Sequence, residues 1–585
     1  MILVTTALKE TFPKNTDERV LFLGEWCKFY SEKKHWSVYS SITLDYYWND
    51  KNRTLSAVQY TDIIYEKYLK ILSEQLNKIH NEQYSERYWR IVVGYWLRQF
   101  IDIVYDKYTL VEKVFADNKI NKTYKVGFEK SDAVPLDMHD FNRIKASDDW
   151  NHFIYSFLLG DKECNIVKVG YKRKILRIKT PANKNKNKIK QISMRLNRFN
   201  RIAFYISYIE RKTCAKLQLL LGQIPALDYI EELSLFANYD ENLRSKLDMS
   251  ADNAKGFESI LKRLIKIQIP CSYLESYQGL KEEALNRYSS KVKLIVATPS
   301  SVAFHDDFKI WTANKVEDGV KLVLAQHGGL YGTVVSNSLE QHEIAIADKF
   351  FSWGWSRGGY DNIKPMPAIK LLEKIDYNPH GDMLMPLLDA PRYTSFLMAS
   401  EVMSTQILDY TEDQIEFLTL LPRKISKHIK LRMFTVDDQS GWNIRGRLSD
   451  CRFEGLIDNL ENSNKKFSKR LSECRLCIAT YNATTFLETF SNNFPTLLFW
   501  NENHYTLHQN AKPYFDKLHE AGILHYNAKS LAKKVEEIYQ DPLQWWTAND
   551  IQQAKNEFCI QFANIEKNPL EKWCRELKKI ANDGR

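Results

Sequence analysis

The sequence is poor in the residues that mark several whole classes of protein. Its 585 residues include nine Cys, an odd and sparse set, which excludes a disulfide-stapled scaffold and suits reduced thiols in the cytoplasm. Glycine (21) and proline (16) are few and scattered, which excludes collagen-like and low-complexity chains. The first seven residues lack the basic and apolar regions of a secretory signal. The most membrane-like stretch, residues 88–110, is broken by Arg90, Arg98, Asp102 and Asp106, so nothing reaches the roughly 18 uncharged apolar residues that a spanning helix needs. Phosphate and metal signatures are missing too: there is no G-x-G-x-x-G, no Walker A, no H-E-x-x-H and no D-x-D triplet. Any phosphate chemistry here is expected to use helix dipoles and basic side chains.

What the chain does carry is one concentrated charge. Lys and Arg number 83 against 73 Asp and Glu, a net charge of +10. Thirteen of these cations lie between Lys168 and Arg201, a stretch without a single acid, and the rest of the chain is slightly acidic. Lys172, Arg173, Lys174 and Arg177 lead this block. A patch of this density suits lipid headgroups, a phosphorylated acceptor or nucleic acid; a solvated loop beside a helix reads the same way.

The apolar pattern argues an α/β chain. Short apolar runs at residues 2–5 and 20–24 suit buried parallel strands. Helical spacing rich in aromatics follows from 36 to 108, and about 36–270 reads as a mostly helical insertion. Beyond 290, strands at 293–297, 321–325 and 349–353 alternate with helix-length segments, and a hinge follows at 364–367 and 378–381. A second series has strands at 395–398, 431–434, 476–479 and 496–500, with a helix at 411–421. Two mainly parallel sheets are expected. The boundaries are an N-terminal unit at 1–375 with the insertion, a C-terminal unit at 376–545, and terminal helices at 546–585.

Ligands of open α/β sheets bind beyond the carboxyl ends of strands, and two loops stand there. The first, Gln326-His327-Gly328-Gly329-Leu330-Tyr331-Gly332, lets the backbone approach a ligand closely and offers His327 as a base or phosphate donor. Glu340, His342 and Glu343 follow. The second is Thr480-Tyr481-Asn482-Ala483-Thr484-Thr485. Its Thr485 and Glu488 have capping-box spacing, while a helix start at a strand end also presents free N–H groups to an anion. Arg432 flanks a strand of the same half. Glu25 follows the second strand and is a further candidate base. Cys474 and Cys477 lack the two extra ligands zinc would need.

Across nearly its whole length the chain resembles a family of sugar transferases from bacterial surface-polysaccharide clusters, of lipopolysaccharide and O-antigen type. The resemblance rests on Leu3-Val-Thr-Thr-Ala-Leu-Lys-Glu10, Tyr88-Trp-Arg-Ile-Val-Val-Gly-Tyr-Trp96, Ala325-Gln-His-Gly-Gly-Leu-Tyr-Gly332, the segment His342 to Trp355, the segment Ala479 to Trp500 and Asp541-Pro-Leu-Gln-Trp-Trp546. It implies a GT-B-like fold, with two Rossmann-like domains facing across a cleft and a large helical insertion in the N-terminal half. The donor nucleotide would be held mainly by the C-terminal domain and the acceptor by the N-terminal one, with Gln326, Gly328, Gly329, Arg432, Asn482, Thr484, Thr485 and Glu488 as donor-binding residues. His327 or Glu25 would act as base with Glu343 orienting. The Gln-His-Gly and Thr-Thr strings are similar to those of capsule transferases using CMP-keto-sugars and of CDP-glycerol polymerases, which favours a cytidine donor and leaves polyol-phosphate transfer as an alternative. Expected partners are a nucleotide sugar and a glycan or lipid-linked acceptor. No cofactor, metal or nucleic acid is expected, and the location is cytoplasmic with peripheral contact to the inner membrane. A binding protein for anionic membranes or nucleic acid, built on 168–201, is the reading from a different class.

Overall fold

A computed structural model describes residues 1–175, 199–205, 208–226, 239–249, 255–393, 401–433, 440–450, 459–461 and 465–582. The strands form three five-stranded sheets whose neighbours all run parallel. The first has β1 (Ile2–Val4), β2 (Val20–Phe22), β3 (Ser41–Thr43), β4 (Lys122–Phe128) and β5 (Asn165–Arg173) in the order β3-β2-β1-β4-β5. The second holds β6 (Ile202–Tyr205), β7 (Leu294–Ala297), β8 (Lys321–Ala325), β9 (Lys349–Ser352) and β10 (Ile363–Pro365) in sequential order. The third holds β11 (Asp382–Pro386), β12 (Ile429–Arg432), β13 (Cys474–Ala479), β14 (Thr496–Phe499) and β15 (Leu524–His525) in the order β12-β11-β13-β14-β15.

The parallel α/β expectation holds, with three sheets where the pattern suggested two. β3, β4, β5 and β6 lie inside the stretch that read as a helical insertion. Their apolar positions alternate with Lys in β4 and β5, as edge-side strands with one wetter face require, and that alternation is faint beside the fully apolar β1 and β2. The third sheet opens at Asp382–Pro386, directly after the expected hinge; the strand expected at 395–398 lies outside the described residues.

Two long helices back the first sheet. Lys51–His80 starts on an Asp50 cap that accepts from Arg53 N and buries Ile64, Tyr68, Leu72 and Leu76 on one face. Tyr95–Asp117 packs against it. The charges that interrupt this second helix are buried as pairs: Arg98 Nε donates to Asp102 at 2.8 Å and the same guanidinium reaches Asp62. No helix among the described residues is long and apolar enough to cross a membrane.

The sheets are tied together by specific bonds. His508 N donates to Thr333 O at 2.9 Å and Val335 N to Thr506 O at 3.0 Å, joining the second and third units. Arg392, beyond β11, reaches the first unit, donating to Trp26 O at 2.7 Å and pairing with Asp148. The last helix, Pro569–Asn582, lies on the second sheet, where Trp573 meets Phe351 edge-on at 5.0 Å and donates Nε1–H to Pro367 O at 2.9 Å.

Candidate functional site

The loop after β8 and the helix start after β13 meet. Gly329 N donates to Thr484 Oγ1 at 2.9 Å. A Cβ on Gly329 would sit 2.2 Å from the Ala483 carbonyl carbon, and one on Gly328 would sit 2.9 Å from Thr484 Oγ1. Only glycine lets the two backbones come this close. The helix Thr484–Ser491 has Ala483 as its N-cap and no side-chain cap. Its first N–H groups and positive dipole end therefore lie bare of side-chain acceptors beside the glycine loop.

Four side chains gather beside this joint. His327 is largely buried, and its Nδ1 has no partner among the described residues. Burial, aided by the Lys370 cation, pushes its imidazole down to about 3, so it is neutral at pH 7. Its ring lies 5.4 Å from Tyr208 and 5.4 Å from Tyr331. Lys370 donates its ammonium to the His327 carbonyl and stands 5.4 Å from the Tyr208 ring. Burial lowers the Lys370 amine, and the field of Glu488 opposes that; burial raises the Glu488 carboxyl, and Lys370 opposes it. Tyr208 holds φ at +53°, a strained setting for a bulky residue and one that clusters at ligand sites.

The helix Ser338–Ile346 braces the glycine loop from behind. Its Asn337 cap accepts from Leu339 N and Glu340 N. Glu340 accepts from Gly332 N at 2.7 Å and pairs with Arg357 at 2.7 Å. Glu343 is fully buried; its Oε2 accepts from Tyr331 Oη–H at 2.7 Å and its Oε1 has no partner among the described residues. Burial raises its carboxyl well above the usual range, favouring its protonated form. Glu343 thus reaches His327 only through the Tyr331 ring.

The remaining sequence candidates sit differently from expectation. The Gln326 amide is engaged at both ends: Oε1 accepts from Trp353 N at 2.9 Å and Trp355 Nε1 at 2.8 Å, while Nε2 donates to Gly328 O at 2.8 Å. It shapes the loop from within. Asn482 is buried and bonds Thr333 Oγ1 at 3.3 Å, with Oδ1 unpartnered among the described residues. Thr485 is no cap, because the helix begins one residue earlier; its hydroxyl meets Tyr481 Oη at 3.0 Å. Arg432 ends the edge strand β12, where Nη2 donates to Lys465 O at 2.6 Å, and no described contact brings it to Thr484. Glu25 belongs to the first unit and pairs with Lys28 at 2.7 Å; no described contact joins it to His327.

The basic block is only partly described. Lys172 lies in β5 and Lys174 is exposed, whereas Arg177 and its neighbours through 198 lie outside the described residues. Arg173 is not a free cation: it pairs with Asp149 at 2.7 Å and Glu10 at 2.5 Å on the wall of a cleft of about 530 Å³ at the carboxyl end of the first sheet. Lys370 and Tyr331 had no signal of their own in the sequence, the first standing in a presumed linker and the second reading as one aromatic among many. The string Gly354-Trp-Ser-Arg-Gly358 has the spacing of a hydrolase nucleophile elbow, but Ser356 is exposed and no helix follows it before β10, so the strand–turn–helix setting is missing. Among the described residues, no group of three or more His, Cys, Asp or Glu gathers as a metal site.

Three parallel sheets, with a loop beyond a strand of the second bonded to a helix start beyond a strand of the third, define a parallel α/β protein. The chain belongs to the LIC12162 family transferases, which it matches over residues 1–577. No curated protein matches it. Among solved structures it is similar to MurG of Acinetobacter baumannii (12% identity over 52% of this chain and 78% of that one, TM-score 0.30). It is also similar to WaaG, a glycosyltransferase involved in lipopolysaccharide biosynthesis (11%, 52% and 95%, TM-score 0.27), and to a UDP-N-acetylglucosamine 2-epimerase (10%, 65% and 94%, TM-score 0.32). These are distant likenesses.

Proposed function

We propose that this transferase moves a sugar from a nucleotide-activated donor onto a surface-glycan or lipid-linked acceptor, at the cytoplasmic side of the membrane. The observation that carries the reading is the joint between Gly329 and Thr484, which sets an uncapped helix start, the Lys370 ammonium and the free Nδ1 of His327 side by side. In the transfer, the acceptor oxygen bonds to the anomeric carbon as the bond from that carbon to the phosphate oxygen breaks. The acceptor proton passes to His327, and the charge growing on the phosphate is met by Lys370 and the helix-end N–H groups. Arrival of the phosphates also offsets the cation that holds the imidazole down, making His327 a better base in the loaded site. Glu343, through Tyr331, fixes the loop rather than the proton. A cytidine-activated keto-sugar is the favoured donor, and the leaving group needs no protein-held metal ion.

Thermal shift against CMP, CDP, UDP and GDP, each with and without EDTA, tests the reading. One nucleotide should stabilise the protein, undiminished by the chelator, and Lys370→Met should abolish the shift. Flat curves for all four, or a shift that survives Lys370→Met, would count against it. A product carrying polyol phosphate in place of sugar would turn the reading to the polyol-phosphate class.

A further inference from the structure

The amino ends of the strands in the second sheet carry a surface that the candidate site does not use. The sheet is parallel throughout, so this end lies opposite the glycine loop, which follows the carboxyl end of β8. Helix Arg211–Leu220 follows β6, the edge strand, and runs back to this end. There Gly222, at φ +76°, turns the chain. The Gln223 amide pins the turn to β6, accepting from Ile202 N at 2.8 Å and donating to Ile202 O at 2.9 Å. Asn200 Nδ2 donates to Ile224 O at 3.1 Å, which brings Phe199 beside the turn. Four large apolar side chains stand in solvent here: Phe199 is 74% exposed, Leu219 62%, Ile224 61% and Leu220 42%. Apolar groups held together in the open mark an interaction surface.

Cations stand around this apolar tip. Lys216 lies one turn before Leu219 and Leu220 on the same helix face, and Arg201 follows Asn200. Lys293 N donates to Arg201 O at 2.8 Å, and Lys578 Nζ donates to Leu220 O at 3.0 Å. All four cations are exposed, and none has a carboxylate partner among the described residues. The segments that carry them, 199–205, 211–226, 289–294 and 577–582, contain no Asp or Glu. A second copy of the chain would set like charge against like. Single-stranded nucleic acid is held by aromatic rings stacked on bases, whereas three of the four apolar side chains here are aliphatic. An anionic bilayer satisfies both features, since its headgroups draw Lys and Arg and its acyl boundary takes Leu, Ile and Phe. We infer that the end of the second sheet carrying Phe199, Leu219, Leu220 and Ile224 docks on an anionic lipid surface, with the apolar tip entering the headgroup boundary and the surrounding cations meeting lipid phosphates.

The inference does not rest on the transferase reading: nucleotide shifts report one end of the sheet and lipid binding the other. Flotation of the full chain with vesicles of phosphatidylcholine alone, and of phosphatidylcholine mixed with phosphatidylglycerol, tests it. The mixed vesicles should carry the protein and the neutral ones should not, and salt should weaken the binding. Leu219→Ser with Ile224→Ser, and separately Lys216→Glu with Lys293→Glu, should each weaken binding about tenfold or more, with the Tm and any nucleotide shift unchanged. All four positions are exposed, and either pair tests the surface if the other fails to fold. The apolar pair also separates this surface from the basic run that precedes Phe199 in the sequence: vesicle binding that survives the loss of Leu219 and Ile224 overturns the inference. So does failure to float with anionic vesicles, equal flotation with neutral ones, capture of single-stranded RNA in place of vesicles, or a dimer in sedimentation that the apolar pair dissolves.

Discussion

Gly329 and Thr484 stand 155 residues apart and are joined by one bond of 2.9 Å from a backbone amide to a hydroxyl. That bond links the second and third sheets and holds the glycine loop against the helix start. Gly329→Ala drives a methyl group into the Ala483 backbone. Overpacking of this kind costs about 1–3 kcal/mol, so a lowered Tm with loss of nucleotide binding is the expected outcome in a melting experiment.

Thr484→Val keeps the shape and removes the acceptor, leaving the Gly329 N–H unmet. A cost of about 1–3 kcal/mol follows from a buried donor without a partner. Thr485→Val breaks only the contact to Tyr481 and should destabilise less. Chemical denaturation of the two variants side by side reads the difference; equal losses would contradict the assignment of Thr484 to the joint.

Burial, and after it the Lys370 charge, lowers the His327 imidazole. Removing that cation in Lys370→Met should move the His327 titration upward, toward the ordinary value, as seen in the carbon–proton correlations of the ring. No upward movement would mean that the ammonium is not held at the His327 carbonyl.

Glu343 gives a stability profile of known sign. Its folded carboxyl is raised, so the folded state holds a proton that the unfolded chain releases above about pH 4.3. Stability from this group is complete below that value and falls as pH rises, by up to about 1.4 kcal/mol per unit. Glu343→Gln removes the slope, so the variant's Tm should gain on the wild type between about pH 5 and about pH 8. His342, lowered to about 3 by burial, acts in the opposite sense, with stability lost as pH falls below about 6.5.

Arg392 and Asp148 form a buried pair between the third unit and the first. Arg392→Met leaves the Asp148 charge uncompensated, at a cost of about 3–5 kcal/mol, measurable as a shifted urea midpoint. The double variant Arg392→Met with Asp148→Leu should recover part of that loss.

Both candidate loops were legible because each follows a mostly apolar strand, and the glycines of one and the threonines of the other break that pattern abruptly. Of the first sheet only β1 and β2 were legible, because β3 is three residues long and the lysines of β4 and β5 mask their alternation. β11 was hidden between Gly381 and a Pro at its own end, in a stretch that read as a hinge. The capping box at Thr485 missed by two residues, because the N-cap is Ala483 and the helix begins at Thr484, whose hydroxyl meets Gly329. Lys370 illustrates the limit: nothing in a lysine's neighbours along the chain tells that folding will bury its amine against a carbonyl 43 residues away.

Trp573 ties the chain's final helix to the Pro367 carbonyl, three residues before Lys370. The distal tail therefore clips down the segment that carries the Lys370 amine. Shortening the protein from its far end would slacken that segment and blunt turnover without removing a single residue that meets substrate.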